Sequence, residues 1–431
     1  MTADGAGAAA SRGPLGILAG GGSLPEQIAE LTIARGRAVH IVAIEGEAGR
    51  GIERFAHTWV NWGGIGRMAA SFNASGCRDM IFVGGVTRPD WRKIRPDLGL
   101  FKAIPTIVRL FGGGDDHVLR NVVRFFEAQG FTVRGVADVA PELLVGSGAL
   151  GRIAPAPSFA ADSARGFALI EAMGGADVGQ AVVIRAGRAL AIEAAEGTDR
   201  MLTRLAEASD RRAAGGILVK APKPGQELRI DMPVIGPRTV ELAAKAGLAG
   251  IAVRAGQVLL VERDRLVEQA DASGLFVTGI EPVMSLTPPR TVLALAPLNR
   301  LMPDKHLRRD MARSANVLAA VVAFADPAGV VVVRRHVIAI ETGEGVDALF
   351  VRVKALRQWG ATARSKRRGA LAVGRHALES QGLEGVITAA AEAGLAGIVL
   401  PYGLAAGLID RAGEIAAQCG LSIVDNKGTA P

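Results

Sequence analysis

"LGILAGGGSLPEQIAELTIARG", residues 15 to 36, passes from a short apolar run through three glycines into a segment with helical spacing. Residues 15 to 19 read as a buried strand, and residues 26 to 36 read as the helix that follows it. The alternation continues. "AVHIVAI" (38 to 44) and "DMIFVGGV" (79 to 86) are strand-like, and "FTVRGVADV" (131 to 139) follows the helix-like "HVLRNVVRFFEAQG" (117 to 130). Strands separated by helices call for a parallel sheet covered on its faces, so residues 14 to 148 are expected to form a Rossmann-like α/β domain. Residues 1 to 13 lack a basic start followed by an apolar block and read as a flexible leader, which makes a cytoplasmic location the expectation.

Gly20, Gly21 and Gly22 stand where backbone amides approach a phosphate at a helix N-terminus, and Ser23 with Glu26 has the spacing of a capping box. Gly20 and Gly22 match the first two glycines of a dinucleotide fingerprint, whereas Pro25 occupies the third position. The turn therefore reads either as a generic phosphate or sugar-nucleotide site or as a tight strand-to-helix connection. "GGVTRPD" (84 to 90) and "FGGGDDH" (111 to 117) fall on the same sheet edge, which adds Thr87, Arg88, Asp115 and Asp116 to the candidate substrate-binding residues.

The chain has 431 residues, 49% of them hydrophobic, which excludes a disordered protein, and its longest apolar run, "VLAAVVAFA" (317 to 325), is too short to span a bilayer. Cys77 and Cys419 have no second ligand at metal spacing and read as free thiols. The net charge of +8 is concentrated in residues 283 to 431, where 18 Lys and Arg stand against 12 Asp and Glu. Eight basic residues and no acidic one lie between Arg352 and Arg375, a pattern that fits either a solvated helix face or attraction to an anionic surface. An aromatic content of 4% argues against a base-stacking surface, so no nucleic-acid partner is expected.

An internal repeat sets the rest of the organisation. "AIEAAEGTD" (191 to 199) returns as "AIETGEGVD" (339 to 347), and "AGLAGI" (246 to 251) returns unchanged at 393 to 398. Residues 315 to 427 thus read as a degenerate copy of 175 to 282, within a second α/β domain at 171 to 282, with connectors at 149 to 170 and 283 to 314. The copy is shorter between its landmarks, and nothing in it corresponds to "LVKAPKPGQELRIDMPVIG" (218 to 236). That stretch places Lys220, Lys223, Gln226, Glu227, Arg229 and Asp231 around Pro222 and Pro224, which makes it a stiff polar loop. Glu193, Glu196 and Asp199 form an acidic group suited to a hard cation such as Mg²⁺ or Mn²⁺, or to a helix N-terminus; Glu341, Glu344 and Asp347 keep the same spacing in the copy.

With "AGGGSLP", "VGGVTRPDW", "GDDHVLR", "RIAPAPS", "AIEAAEGTD" and "LVKAPKPGQELRIDMPVIG" in this order, residues 14 to 282 resemble the metal-dependent UDP-2,3-diacylglucosamine pyrophosphatase family of lipid A biosynthesis. The resemblance implies hydrolysis of UDP-2,3-diacylglucosamine to UMP and 2,3-diacylglucosamine 1-phosphate, with substrate enclosed between two domains and the essential aspartate at Asp231. On that basis Asp231 holds the metal or orients water, Lys220 and Lys223 bind the diphosphate, and Gln226 and Glu227 set the loop or complete the metal shell, together with Glu193, Glu196 and Asp199. Residues 283 to 431 depart from the family pattern. They are expected to be inactive alone, and either to take a homodimer partner's place as an intramolecular pseudo-dimer or to face the inner membrane. The competing readings are a nucleotide-dependent oxidoreductase, suggested by the glycine turn and Glu45, and a regulator that binds a nucleotide sugar or lipid without turnover.

Overall fold

Five parallel strands form the first sheet, in the order His57–Val60, Val39–Ile44, Leu15–Ala19, Asp79–Val83, Thr132–Arg134. This is the Rossmann-like order, and it reverses between Leu15–Ala19 and Asp79–Val83. The computed structural model describes residues 13–86, 115–176, 178–208, 213–282, 295–356 and 367–426. Every residue of Leu15–Ala19 is buried, because helices cover both faces of a parallel sheet. Ile17 and Ile41 belong to the core on one face, and Val42 and Phe72 to the core on the other.

The first strands and the helix Asp115–Glu127 fall where the periodicity places them, with differences at the ends. Thr132–Arg134 is a strand of three residues, and Val136–Val139, read as its continuation, is a helical turn. The strand His57–Val60 and the helix Ile65–Ala74 were not foreseen. The capping box does not form. Ser23 has helical backbone angles and makes no side-chain cap, its hydroxyl accepts from Gln27, and Glu26 pairs instead with Arg54 at 3.1 Å.

By contacts the chain divides into two units, and the division is not sequential. The first comprises residues 1–146, 226–236 and 256–263; the second comprises 147–225, 237–255 and 264–431. Within the first unit, Val234–Ile235 pairs in parallel with Leu259–Leu260, and Val145 donates to the Val258 carbonyl, so the two later segments are bound into the N-terminal fold by backbone hydrogen bonds.

The second unit holds two six-stranded sheets built alike. The first runs Gly148–Ala149, Phe276–Ile280, Gly250–Arg254, Ile217–Lys220, Ala181–Arg185, Arg188–Ile192; the second runs Leu295–Pro297, Ser422–Asn426, Gly397–Leu400, Ala370–Val373, Gly329–Val333, His336–Glu341. Their parallel and antiparallel neighbours match strand for strand, down to a register shift at Val183/Ile184 and at Val331/Val332. The stretches read as connectors are part of the copies, since each carries the start of a helix, Phe159–Met173 in one and Lys305–Val322 in the other.

The two copies pack on each other through matching surfaces. Leu169, Met173, Val182, Ile184 and Ile192 of the first share one core with Val317, Val321, Val330, Val332 and Ile340 of the second, which stand at the corresponding positions. Each such side chain buried from water stabilises by about 1.5–3 kcal/mol. The polar contacts are reciprocal as well. Arg165 donates to the Ala323 carbonyl and Arg313 to that of Ala176. Arg204 binds Glu196 at 2.7 Å and Glu344 at 2.9 Å, while Arg352 binds Glu196 at 3.1 Å and also Glu344. Arg204 corresponds to Arg352 and Glu196 to Glu344, so the network is that of an isologous interface within one chain.

Cys77 and Cys419 are free thiols; burial pushes the Cys77 thiol up to about 11. Among the described residues no helix is long and apolar enough to cross a membrane.

The four-membered network yields a direct expectation. Arg352→Met leaves two nearly buried carboxylates sharing one guanidinium, and a loss of about 3 kcal/mol in unfolding free energy is expected from breaking one side of such a cluster. Urea unfolding of the full chain measures it, and an unchanged midpoint would mean that the network carries no stability.

Candidate functional site

Asp231 stands between two apolar anchors. Ile230 packs with the core cluster on one face of the parallel sheet, and Met232 packs with the cluster on the other face. The intervening carboxylate is therefore held at the rim of the sheet. The Arg229 backbone passes 3.3 Å from the position of a β-carbon on Gly135, the residue after the strand Thr132–Arg134, which puts the loop at the carboxyl ends of the strands. That edge is the ligand-binding edge of an open α/β sheet.

The backbone of the loop closes into a turn, with the Ile230 and Asp231 amides donating to the Glu227 carbonyl at 3.1 and 2.9 Å. Arg229 clamps it from the side, donating to both Glu227 oxygens at 2.8 and 2.9 Å and to Glu127 at 2.8 Å. That guanidinium holds the Glu227 carboxyl below the ordinary glutamate range. Gln226 donates to Asp231 Oδ2 at 2.7 Å and orients the carboxylate. Glu227 thus shapes the loop, and Gln226 aims the aspartate.

Lys220, at the end of the strand Ile217–Lys220 in the second unit, is only 5% exposed, and its ammonium donates to Thr198 Oγ1 at 3.1 Å. Glu193 is buried beside it. Burial pushes the Glu193 pKa up, opposed by the Lys220 charge, a hydrogen bond from the Gln180 amide, one from Thr198 and the Lys223 charge. Buried ions persist where they are paired and hydrogen-bonded, and this cluster meets both conditions. Pro224 lies against Gly174 of the same unit, where a β-carbon would come within 2.5 Å of the ring, so the prolines do anchor this part of the loop.

The second copy provides an internal control. Its strand register equates Lys220 with Val373, and the hairpin equates Glu193 with Glu341 and Thr198 with Val346. Glu341 is fully buried and accepts from the amides of Ala328 at 2.8 Å, Gly345 at 2.8 Å, and Gly343. The glutamate is retained in both copies because it ties the hairpin to neighbouring backbone; Gln180 and Ala328 donate from equivalent positions. The lysine and the threonine occur in the first copy alone. Thr198 escaped the reading of the sequence, although the change from "EGTD" to "EGVD" between copies signals it.

The acidic group at 193 to 199 does not fit a metal centre. Glu193 faces Lys220 and Thr198, Glu196 is held by Arg204 and Arg352, and Asp199 is exposed on the first turn of the helix Thr198–Glu207. Among the described residues no group of three or more His, Cys, Asp or Glu is placed to hold an ion.

Of the two readings of the glycine turn, the backbone contacts of Gly20 and Gly21 fit the tight connection. The Gly20 amide donates to the Val83 carbonyl at 2.8 Å, and Gly21 and Gly85 exchange hydrogen bonds at 2.7 and 2.9 Å across the reversal point of the sheet. A β-carbon on Gly20 would lie 2.5 Å from the Gly85 carbonyl oxygen, so glycine is required there by the approach of two loops. Gly22, at φ 92°, faces open space, and Ser23 follows it at the helix start. Thr87 and Arg88 lie outside the described residues, and Asp115 and Asp116 open the helix Asp115–Glu127. Of the basic run from Arg352 to Arg375, Arg352 is taken up by the contact between copies, Arg375 donates to the Tyr402 carbonyl, and Arg357, Arg364 and Lys366 lie outside the described residues.

Family models match each of the three domains. Residues 14–143 match the LpxI N-terminal domain family, and residues 146–278 and 296–423 both match the LpxI C-terminal domain family. The UDP-2,3-diacylglucosamine pyrophosphatase LpxI of Caulobacter vibrioides is 39% identical over 275 residues, which cover 98% of that protein and 62% of this chain. Carrying the N-terminal domain once and the C-terminal domain twice, the chain belongs to the LpxI family.

Proposed function

We infer that this chain hydrolyses the diphosphate of UDP-2,3-diacylglucosamine, releasing UMP and 2,3-diacylglucosamine 1-phosphate in lipid A biosynthesis. The observation that carries this reading is the asymmetry between copies: Lys220 and Thr198 are valines in the second, while Asp231 and its loop have no counterpart there. A duplicated domain that keeps its structural glutamate and lacks these groups has shed chemistry and kept its fold.

Cleavage of a phosphoanhydride needs a positioned water and neutralisation of the charge on the phosphoryl oxygens. Asp231, aimed by Gln226 and braced by Ile230 and Met232, orients the water. Lys223 binds the diphosphate, and Lys220 contributes a fixed positive charge that Glu193 and Thr198 hold in place. Mg²⁺ or Mn²⁺ remains part of the reading, with Asp231 as its protein ligand, since such ions commonly take one or two carboxylates together with substrate phosphate oxygens. When bound, the ion would neutralise charge on the diphosphate. We place the enzyme on the cytoplasmic side of the inner membrane and read its paired copies as an intramolecular pseudo-dimer.

Asp231→Asn keeps the shape and removes the charge. It is expected to lower the rate of UMP release at least about a thousandfold with substrate binding retained, and the same variant reports on the second copy, whose activity would survive as residual turnover. Full turnover in Asp231→Asn would refute the assignment; binding without turnover in the unaltered chain would favour the regulator. Thr198→Val installs the second copy's residue and takes an acceptor from the Lys220 ammonium. We expect UMP release to fall roughly tenfold to a hundredfold, with the unfolding midpoint lowered by no more than the effect of about 1–3 kcal/mol that one unmet buried hydrogen bond produces. An unchanged rate would remove Lys220 from the catalytic group.

A further inference from the structure

The second copy carries basic side chains and a methionine that the first lacks, beside a leucine that is exposed where the first copy has the partly buried Ile153, and they lie toward one end of it. "NRLMPDKHLRRDMARS" (299 to 314) aligns without a gap on "GRIAPAPSFAADSARG" (151 to 166). The fold confirms that register: Asp162 accepts from the amides of Ala186 and Gly187 at 3.0 and 2.7 Å, and Asp310 accepts from those of Arg334 and Arg335 at 3.0 and 2.7 Å. Pro157, Ala160, Ala161, Ala186 and Gly187 of the first copy therefore become Lys305, Arg308, Arg309, Arg334 and Arg335 in the second. All five are exposed, and among the described residues none is held in a salt bridge. The Asp310 hydrogen bonds bring the hairpin tip that bears Arg334 and Arg335 against the opening turns of the helix that bears the other three.

An apolar tip adjoins these cations. Leu301 is 42% and Met302 65% exposed. The tip is ordered: the Asn299 side chain donates to the Leu421 carbonyl at 2.8 Å, the Leu301 amide to Asn299 Oδ1 at 3.2 Å, and the Met302 amide to the Arg300 carbonyl at 3.1 Å, with Pro303 buried behind it. From 299 to 310 the one exposed carboxylate is Asp304, which caps the helix through the Leu307 amide at 2.7 Å. Arg335 adopts φ 70°, in the left-handed region where the first copy has Gly187 at φ 76°. A bulky side chain is unfavourable in that conformation, so its presence runs against local stability.

We propose that this end of the second copy docks on an anionic phospholipid surface, with Leu301 and Met302 entering the interface and Lys305, Arg308, Arg309, Arg334 and Arg335 facing the headgroups. Exposed apolar side chains beside a cluster of cations are the chemistry that such a surface recognises. A nucleic acid would share the charge, but this set of residues offers no aromatic ring for bases to stack on. The inference rests on the divergence between copies and does not depend on the hydrolase reading.

The test is co-sedimentation of the full chain with vesicles of phosphatidylglycerol and phosphatidylethanolamine, against vesicles of phosphatidylcholine alone. The fourfold variant Arg308→Ala, Arg309→Ala, Arg334→Ala, Arg335→Gly installs the first copy's residues at each position, and its fold is checked by thermal unfolding. Binding is expected to the anionic vesicles only, to weaken roughly fivefold per charge removed, hence by two orders of magnitude or more in the fourfold variant, and to fall with added salt. Met302→Ala, again the first copy's residue, is expected to weaken binding severalfold at fixed salt and supplies a second readout if the fourfold variant does not fold. Equal binding to phosphatidylcholine, binding to neither vesicle, no loss in either variant, or tighter binding to duplex DNA than to anionic vesicles at one ionic strength would each overturn the proposal.

Discussion

Two arginines and two glutamates, arranged so that each arginine meets its own copy's glutamate and the other's, hold the second unit together. Arg204 and Arg352 are mostly buried and Glu196 and Glu344 almost wholly so. Charges at that depth are tolerated only when all of them are present, which makes the contact specific for a domain carrying the same pair. The surrounding apolar side chains supply the bulk of the attraction, and the ion network fixes the register in which they meet.

Duplication under this constraint separates what both copies share from what the first copy alone carries. Both copies keep the glutamate that ties the hairpin to its neighbour, the aspartate that closes the hairpin tip, and the arginine and glutamate of the contact. The second copy dispenses with the buried lysine and its threonine, and with the excursion that carries Asp231. In the first copy that excursion and residues 256–263 are folded into the N-terminal unit, so the residues read as one loop in sequence, 218 to 236, serve two structural units.

Much of the architecture was legible in the chain. The alternation from residue 15 to 44 identified the parallel sheet because strand and helix periods differ and glycine marks the passage between them. The repeat identified the duplicated domain because identical local sequences at nearly constant spacing fold alike. The short strand His57–Val60 was missed because four residues carry too little pattern. The helix Phe159–Met173 was mistaken for a connector because its prolines and alanines hide its start. In the candidate site, Asp231 and Lys220 stood out by the density of polar groups around them, whereas Thr198 became visible only beside the valine of its counterpart.

By itself the sequence determined the fold class, the duplication, and the stretch that singles out the candidate site, since these depend on local periodicity and on residue types that are unusual in their surroundings. Tertiary structure alone decided which partner each charge takes. Glu193, Glu196 and Asp199 are neighbours in sequence and look like one acidic site, but the turn from hairpin to helix sends them toward a lysine, a pair of arginines and solvent. The amides of Gly20 and Gly21 look available to a phosphate, but the approach of the Gly84 loop occupies them. Charge pairing and hydrogen bonding act over a few ångströms in space without regard to distance along the chain, and only the folded arrangement brings the competing partners within that reach.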